Sequence, residues 1–348
     1  MSIRHHRHRP DYEFILLFNR ATGSDRIYYF MLDPRTKDRM FPRMNTTLFH
    51  KLRNLLGFRP IVLNGMLYIV GGKDWVSGEM SGSTWRYNPD TGKWHACAQM
   101  VEPRCRFTAN VLDDKIFVTG GEVRGGKVTS TVEYYDPGTD TWTPIRSLPR
   151  PRVDHASCVV GGTRLYVSGG ISNIKHQCSN VFWVYDLLTD RWTDPCPNIV
   201  LPHDREKHLM VPVKNNIYVM AGRGFDQEVF QEKDEGHICS YCTKNDGEVK
   251  RPKAFDVEHP TMFHTRVNPG YIQLGKNIYL FGGKSFQKDR EVTEVDYYST
   301  KTRKWKTVFS LPGRYSYANI DCVKLTVPIH NRDFNFNAVQ LYENWVMW

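Results

Sequence analysis

A pair of glycines closes an apolar run at four places in the chain, and this recurrence constrains the fold more than any other feature. The four runs read "LYIVGG", "IFVTGG", "LYVSGG" and "IYLFGG", and their second glycines are Gly72, Gly121, Gly170 and Gly283. A fifth copy, "IYVMAG", ends at Gly222. The spacings between successive copies are 49, 49, 52 and 61 residues. Regular spacing at this length indicates a repeat architecture.

A tyrosine and a tryptophan follow each full glycine pair in register. The tryptophan comes 21 or 22 residues after the second glycine, and the tyrosine lies seven residues before the tryptophan. The pairs are Tyr87 and Trp94, Tyr135 and Trp142, Tyr185 and Trp192, and Tyr298 and Trp305. The residues between them, as in "YDPGTDTW", are rich in turn formers. Each unit is therefore interpreted as four short antiparallel strands.

The glycine pairs themselves have two interpretations. A glycine pair can begin a phosphate-binding loop that leads into a helix. It can also occupy positions where the backbone needs a positive φ or a close approach. The residues that follow here are "KDW", "EVR", "ISN" and "KSF", the next predicted element is a strand, and the chain contains no glycine-rich GK[ST], GxSxG or HExxH motif. The recurrence favours the structural interpretation.

One four-stranded sheet cannot bury both of its faces, whereas sheets stacked around an axis can. The sequence therefore predicts an all-β propeller of six blades over about residues 1–325, with four antiparallel strands in each blade. The predicted blades are 11–45 together with 314–327, 58–102, 103–149, 150–202, 203–259 and 260–312. The segment "RYSYANIDCVKLTV" is predicted to close the first blade as its C-terminal strand. Residues 46–58 show helix-like apolar spacing, and 328–348 form an aromatic tail.

A unit with a glycine pair, a tyrosine and a tryptophan in this register resembles the kelch repeat, and the resemblance covers nearly the whole chain. The arrangement is similar to the C-terminal propeller of BTB–BACK–kelch proteins. That resemblance implies a non-enzymatic module that captures the protein to be ubiquitinated on its loop face. In that family the BTB and BACK domains bind cullin-3, and neither is recognisable in this sequence. Contact with cullin-3 and any homo-oligomer would depend on those domains. The alternative is a cytoskeletal, actin-binding or scaffold propeller.

Composition bears on the other function classes. The net charge is +10, but residues 1–60 hold twelve Lys and Arg against five Asp and Glu, so the excess is mostly N-terminal. A broad basic stripe for nucleic acid is not predicted. No apolar run approaches the roughly 18 residues that span a membrane, and the N-terminus lacks the apolar segment of a secretory signal. The expected location is cytoplasmic, with the nucleus as a second possibility.

The eight cysteines and the histidines bear on cofactors. Without a secretion signal, the cysteines are interpreted as reduced thiols. "CSYC" at 239–242 is a single CxxC, whereas a zinc site needs a second pair of ligands, so no metal or cofactor is predicted. Some kelch-type propellers are copper oxidases. The missing secretion signal disfavours that enzyme alternative.

Arginines precede the predicted first strands of five blades. They are Arg104, Arg152, Arg205, Arg266 and Arg314. Each arginine could fix its blade by binding backbone carbonyls or a neighbouring blade. Alternatively, the five could line a cationic mouth that binds acidic side chains bidentately.

The loops after the glycine pairs differ in length and composition, as loops that recognise a partner do. Their candidate protein-binding residues are Trp75, Arg124, Lys175, Arg223, Phe225, Phe230 and Phe286. An exposed aromatic side chain is a candidate interface anchor. The alternative is that each aromatic ring packs onto its own blade.

Overall fold

The computed structural model describes residues 12–20, 27–32, 40–43, 55–172, 178–193, 199–226, 231–245, 255–257, 259–311 and 316–328. In these ranges the chain is all-β except for two short 3-10 helices, Arg124–Gly126 and Thr243–Asn245. The main strands form six antiparallel sheets, numbered 1 to 6 in chain order and described from the innermost strand outward.

Five of these sheets have four strands. Sheet 1 consists of Asp321–Val327, Tyr12–Arg20, Ile27–Leu32 and Met40–Arg43. Sheet 2 consists of Arg59–Leu63, Met66–Val70, Thr84–Asn88 and Lys93–Cys97. Sheet 3 consists of Thr108–Leu112, Lys115–Thr119, Val132–Asp136 and Thr141–Ile145. Sheet 4 consists of Ala156–Val160, Arg164–Ser168, Phe182–Asp186 and Arg191–Thr193. Sheet 6 consists of Gly270–Leu274, Asn277–Phe281, Glu294–Ser299 and Lys304–Ser310.

Sheet 5 has only three strands in the described residues: Leu209–Val213, Asn216–Met220 and Cys239–Cys242. The prediction of six four-stranded blades is therefore wrong, because the described residues form five four-stranded sheets. The unit at 203–259 lacks the tryptophan that follows the repeated tyrosine by seven residues in sheets 2, 3, 4 and 6. After Cys242 the chain forms a 3-10 turn, and the described residues beyond it contribute a single bridge, between Ser240 and Asp256.

The innermost strands bring the sheets around a central channel. Each one contacts the innermost strand of the next sheet, and that of sheet 6 contacts Asp321–Val327 of sheet 1. Sheet 1 joins the two ends of the described chain, because Tyr12–Arg20 pairs with Asp321–Val327 from Tyr12↔Val327 to Phe18↔Asp321. All six sheets line a cavity of about 360 Å³ along the channel. The fold is a β-propeller.

Burial follows the position of each strand in its sheet. Second strands are covered by sheets on both sides, so Ile116, Phe117 and Val118 of sheet 3 are all buried. The outermost strand of the same sheet, Thr141–Ile145, alternates exposed and covered residues. This pattern explains why apolar runs mark the second strands in the sequence, since a strand buried on both faces reads as a continuous apolar run.

Four two-stranded ribbons project from the sheets. Three follow glycine pairs or their equivalent: Glu122–Val123 with Lys127–Val128, Arg223–Asp226 with Gln231–Asp234, and Lys284–Ser285 with Arg290–Glu291. The fourth pairs Leu55–Leu56 with Lys73–Asp74. The predicted helix at 46–58 is therefore wrong at its described end, where strand pairing is followed by Gly57 at φ 63. Residues 46–54 lie outside the described ranges.

The repeated tyrosines and tryptophans pack within and between sheets. Tyr135 pairs with Trp142 across adjacent strands, and their ring centroids are 5.4 Å apart. The indole Nε1 of Trp142 also donates to the carbonyl of Ala98 in the preceding sheet, at 3.1 Å. Trp192 and Trp305 donate to Arg146 and Pro260 in the same way, at 2.9 and 3.2 Å. Each of these tryptophans thus fastens its blade to the one before it.

The glycine pairs fasten each blade to the one after it. The amide of Gly121 donates to the carbonyl of Arg152 in the loop that leads into the next sheet, at 2.7 Å. Gly120 has φ 56, and a Cβ added there would lie 2.5 Å from the same Arg152 oxygen. A Cβ added at Gly71 or at Gly169 would likewise lie too close to the carbonyl oxygen of Arg104 or of Arg205. The pairs therefore supply a left-handed backbone and room for a neighbouring chain.

Candidate protein-binding site

The loops that lead into the first strands and the loops that follow the second strands lie at the same end of the propeller, here called the loop face. In each sheet the chain enters the first strand where it leaves the second, because the two strands are antiparallel. Single bridges join the two sets of loops directly, for example Cys105↔Glu122, Val153↔Ile171 and Val267↔Lys284. Loops held in this way by a rigid scaffold are typical of binding surfaces.

Six residues surround the channel opening on the loop face and are called the mouth ring. They are Gly57, Arg106, Asp154, Lys207, Asn268 and Asn319. The amides of Arg106, Asp154, Lys207 and Asn268 each donate to the carbonyl of the preceding ring member, at 3.2, 3.2, 2.8 and 2.9 Å. The amide group of Asn268 reaches Asn319 at 2.5 Å. These hydrogen bonds connect successive ring members and hold the channel opening in a fixed shape.

The ring backbone lies in the left-handed region. The φ values of Gly57, Arg106, Asp154, Lys207 and Asn268 are 63, 54, 54, 50 and 55°. A non-glycine residue in this region costs roughly 1–2 kcal/mol. Four of these positions hold a polar or charged residue, and each of the four carries this conformational cost.

The charges at the mouth are paired. The guanidinium of Arg106 donates to Asp154, with Nε 3.0 Å from Oδ1, and to Glu122 at 2.8 Å. Lys207 Nζ lies 3.8 Å from Asp154, and Lys73 Nζ lies 3.4 Å from Glu122. Burial of Arg106 opposes its charge, but the hydrogen bonds that it donates to Asp154 and Glu122, with the negative charges of those carboxylates, outweigh burial and raise its pKa. Positive and negative side chains therefore alternate at the mouth, which is not a purely cationic surface.

Three of the repeated arginines have no exposed surface: Arg104, Arg205 and Arg266 are each 0% exposed. Arg104 donates to the carbonyls of Gly120 and Thr131 at 2.9 and 3.0 Å. Its second terminal nitrogen lies 2.6 Å from Glu133 Oε1. Arg104 therefore joins the second and third strands of its own sheet to the loop that precedes them.

The other repeated arginines vary this arrangement. Arg266 donates to the carbonyls of Gly282 and Glu294 and, at 2.5 Å, to Asp296. Burial lowers the pKa of Arg266 to about 10 in spite of Asp296. Arg205 reaches the carbonyl of Ala221 only at 3.4 Å. A cationic mouth formed by Arg104, Arg205 and Arg266 is incompatible with their burial, because a partner cannot reach the guanidinium groups. Arg152 differs from these three arginines because it is 3% exposed and borders a cavity on the loop face, and Arg314 lies outside the described residues.

The predicted aromatic anchors lie on the loop face with part of each ring exposed. Trp75, Phe225 and Phe286 are 46, 37 and 44% exposed. The Phe286 ring does not pack only on its own blade, because the Arg223 guanidinium of sheet 5 lies 5.2 Å from the ring centroid. Lys284 Nζ lies 5.0 Å from the same centroid.

The predicted charged loop residues have different surroundings. Arg124 is exposed, and Arg223 is bound to Glu206 at 2.5 Å. Lys175 and Phe230 lie outside the described residues. Of these two described residues, Arg124 is solvent-exposed and Arg223 forms an ion pair.

Sequence reasoning missed the mouth ring and several exposed apolar side chains. Of the ten large hydrophobic side chains that are exposed in the described residues, eight lie in loops of the loop face. They are Leu56, Trp75, Val76, Val101, Val200, Phe225, Phe263 and Phe286. By contrast, Leu188 lies in a turn at the opposite end. Most of the exposed large apolar side chains of the described residues therefore lie at the end of the propeller that carries the loops.

The CxxC segment does not form a chelating pair. Cys239–Cys242 is a strand, and residues three apart in a strand point to opposite faces. Accordingly Cys239 is buried and Cys242 is exposed. No cluster of three or more His, Cys, Asp and Glu side chains suited to a metal occurs in the described residues. In the same part of the chain, no helix is long and apolar enough to cross a membrane.

Comparison with known proteins places this geometry in a family. Residues 59–222 match the model of the KLHDC2/KLHL20/DRC7 Kelch-repeats domain. The chain is 30% identical over 270 residues to kelch-like protein 26 of Danio rerio, an alignment that covers 77% of this chain and 42% of the relative. It is 26% identical over 255 residues to kelch-like protein 36 of Bos taurus, covering 72% of this chain and 39% of that protein.

Two further similarities extend the comparison. Beta-scruin of Limulus polyphemus is 25% identical over 249 residues, covering 68% of this chain and 26% of the relative. The solved structure of YjhT superposes with a TM-score of 0.65 at 14% identity, covering 83% of this chain and 96% of that one, which shows the shared fold. The chain spans less than half the length of these curated relatives. The chain is a kelch-repeat β-propeller, and it resembles the kelch region of the kelch-like proteins.

Proposed function

We propose that this propeller is a protein-recognition module that binds its partner on the loop face. The proposal takes sheet 5 as a sixth, three-stranded blade of the same ring, because its innermost strand contacts those of sheets 4 and 6. One observation carries the proposal: eight of the ten exposed large hydrophobic side chains of the described residues lie on this face. Exposed aromatic and apolar side chains of this kind are typical anchors of a protein interface.

The further setting we propose is a cullin-3 ubiquitin ligase, in which the captured protein is ubiquitinated. Its support is the resemblance to BTB–BACK–kelch proteins and the similarity to kelch-like proteins 26 and 36. The BTB and BACK domains that would contact cullin-3 have no counterpart in this sequence. The propeller accordingly supplies substrate recognition, without chemistry of its own.

Substitution of an aromatic anchor tests the binding face. Proteins captured from a cell lysate by the immobilised chain are identified, and the affinity of the main captured protein is measured by calorimetry. Phe286→Ala is expected to weaken binding about 30-fold, because loss of a partly buried aromatic anchor costs about 2 kcal/mol. The matched control is Leu188→Ala, an 81% exposed side chain at the opposite end. Equal affinities for the Phe286→Ala and wild-type chains, or loss only in Leu188→Ala, would contradict the proposed face.

Two settings for such a module give different results in cells. A ubiquitin-ligase adaptor predicts that the captured protein accumulates when the gene for this chain is deleted. The cytoskeletal alternative predicts that the chain cosediments with actin filaments and that the abundance of the captured protein stays unchanged. Cosedimentation with actin together with unchanged abundance would contradict the ligase setting. Neither result would bear on the proposed binding face.

A further inference from the structure

Sheet 4 differs from sheets 3 and 6 at the position that faces the repeated arginine. In sheets 3 and 6 the residue two before the repeated tyrosine is an acid, Glu133 before Tyr135 and Asp296 before Tyr298. In sheet 4 the same position, two before Tyr185, is Trp183. The repeat therefore retains the arginine in sheet 4 but replaces the carboxylate with an indole.

The contacts of Arg152 show the effect of this replacement. The guanidinium of Arg152 lies over the Trp183 ring at 5.1 Å. Arg152 is 3% exposed, its Nε has no hydrogen-bond partner, and no carboxylate of the described residues lies within ion-pair distance. Burying a charge without a counterion is costly. Arg104 donates to the carbonyls of Gly120 and Thr131 and to the carboxylate of Glu133. Among the described residues, Arg152 has no counterpart of that carboxylate.

The backbone holds Arg152 in a fixed position. Its carbonyl accepts the hydrogen bond from Gly121, and its amide donates to Thr129 at 3.1 Å. Both bonds come from sheet 3, so the loop that carries Arg152 is anchored by the neighbouring blade. A binding group preorganised in this way loses little freedom when a ligand arrives.

Arg152 borders a cavity of about 530 Å³ on the loop face, between sheets 4 and 5. Other polar lining residues are Arg150, Ser172, Ser179, Asn180 and His203. Among the described lining residues, Asp204 is the one carboxylate, and burial raises its pKa. The cavity is therefore open, polar and bordered by two arginines.

We infer that this cavity binds a carboxylate, the side chain of an acidic residue on the partner protein, through the guanidinium of Arg152. A planar guanidinium donates two parallel hydrogen bonds to a carboxylate. From the cavity, the ligand supplies Arg152 with the negative charge that Glu133 and Asp296 supply to Arg104 and Arg266. The inference rests on the proposed function, because it assigns this part of the loop face to an acidic side chain of the partner.

The titration of Arg152 agrees with this geometry. Burial, followed by the nearby positive charge of Arg150, lowers the pKa of Arg152 to about 10. The group remains protonated at neutral pH and can therefore bind an anion. A bound carboxylate opposes both effects and raises this pKa.

Nuclear magnetic resonance of the full chain with ¹⁵N-labelled arginine tests the inference. The probe is N-acetylglutamate methylamide, the matched neutral probe is N-acetylglutamine methylamide, and sodium chloride sets equal ionic strength. The Arg152 Nε–H signal is assigned by its loss in Arg152→Met. We expect this signal to shift saturably with the glutamate probe and the glutamine probe to bind at least about tenfold more weakly, as loss of a charged hydrogen bond implies. Equal responses to the two probes, or no response to the glutamate probe, would overturn the inference.

Trp183→Glu is a second variant with a sharper expectation. It restores the acid found in sheets 3 and 6, so the internal carboxylate is expected to occupy Arg152 and abolish binding of the glutamate probe. Retained probe binding in a folded Trp183→Glu chain would contradict the assignment. The comparison of the two probes on the wild-type chain gives a decisive result even where this variant fails to fold.

The outcomes separate this inference from the proposed function. A chain that captures a partner through Phe286 but shows no response to the glutamate probe retains the proposed function and refutes the carboxylate site. A chain that binds the glutamate probe but captures no protein retains the site and refutes the proposed function.

Discussion

Replacement of Arg104 by methionine is expected to lower the free energy of unfolding by about 3–5 kcal/mol, the usual cost of removing one partner from a buried ion pair. The substitution leaves the Glu133 carboxylate buried without its guanidinium, and it removes the donors to the Gly120 and Thr131 carbonyls. Guanidinium unfolding followed by circular dichroism measures the change.

The same substitution at Arg152 is the matched control. Arg152 occupies the equivalent position but has no carboxylate partner in the described residues, so Arg152→Met is expected to cost about 1 kcal/mol or less. Equal losses for the two variants would show that the ion pair with Glu133 contributes nothing beyond packing. A loss in Arg104→Met below about 1 kcal/mol would contradict the structural role given to the arginine.

Replacement of Gly120 by valine is expected to destabilise the chain by about 2–5 kcal/mol. A left-handed backbone costs a β-branched residue roughly 1–2 kcal/mol or more, and overpacking typically adds about 1–3 kcal/mol. The new Cβ would lie 2.5 Å from the Arg152 carbonyl, which belongs to a neighbouring blade and cannot move independently. Thermal and denaturant unfolding of the variant give the measurement.

Gly65→Val separates the two contributions. Gly65 has φ 74, but a Cβ added there meets no atom within 4 Å. Its valine variant is expected to show only the conformational cost, about 1–2 kcal/mol. If Gly120→Val costs no more than Gly65→Val, the close approach of the next blade does not explain the glycine pair. Ala221 shows that sheet 5 tolerates a methyl group at this position at φ 60.

The repeat made the propeller predictable from sequence, since both the glycine pairs and the ring pairs recur in register. The structure explains why: Gly121 and Trp142 each bind the backbone of an adjacent blade. Such contacts need the same residue type in every unit. Sheet 5 departed from the prediction in a unit that lacks the repeated tryptophan. Sheet 1 also lacks this tryptophan but has four strands, so its loss does not by itself account for the three-stranded sheet.

The candidate site was harder to predict, because the repeat pattern does not show which way a side chain points. Arg104 and Arg266 were correctly located before the first strands, but their guanidinium groups turn inward to Glu133 and Asp296. The mouth-ring position lies two residues later, at the partly exposed Arg106 in the unit of Arg104. Alignment of the units on their arginines would have revealed this position.

Hydrogen exchange of the propeller with its captured partner tests the central claim most directly. Amide exchange is measured by mass spectrometry for the free and bound chain. We predict that bound partner slows exchange in the loops around Trp75, Phe225 and Phe286 and in the loops that lead to Arg106 and Lys207, while the turn at Leu188 is unchanged. Protection confined to that opposite end, or to the outermost strand Thr141–Ile145, would contradict recognition on the loop face.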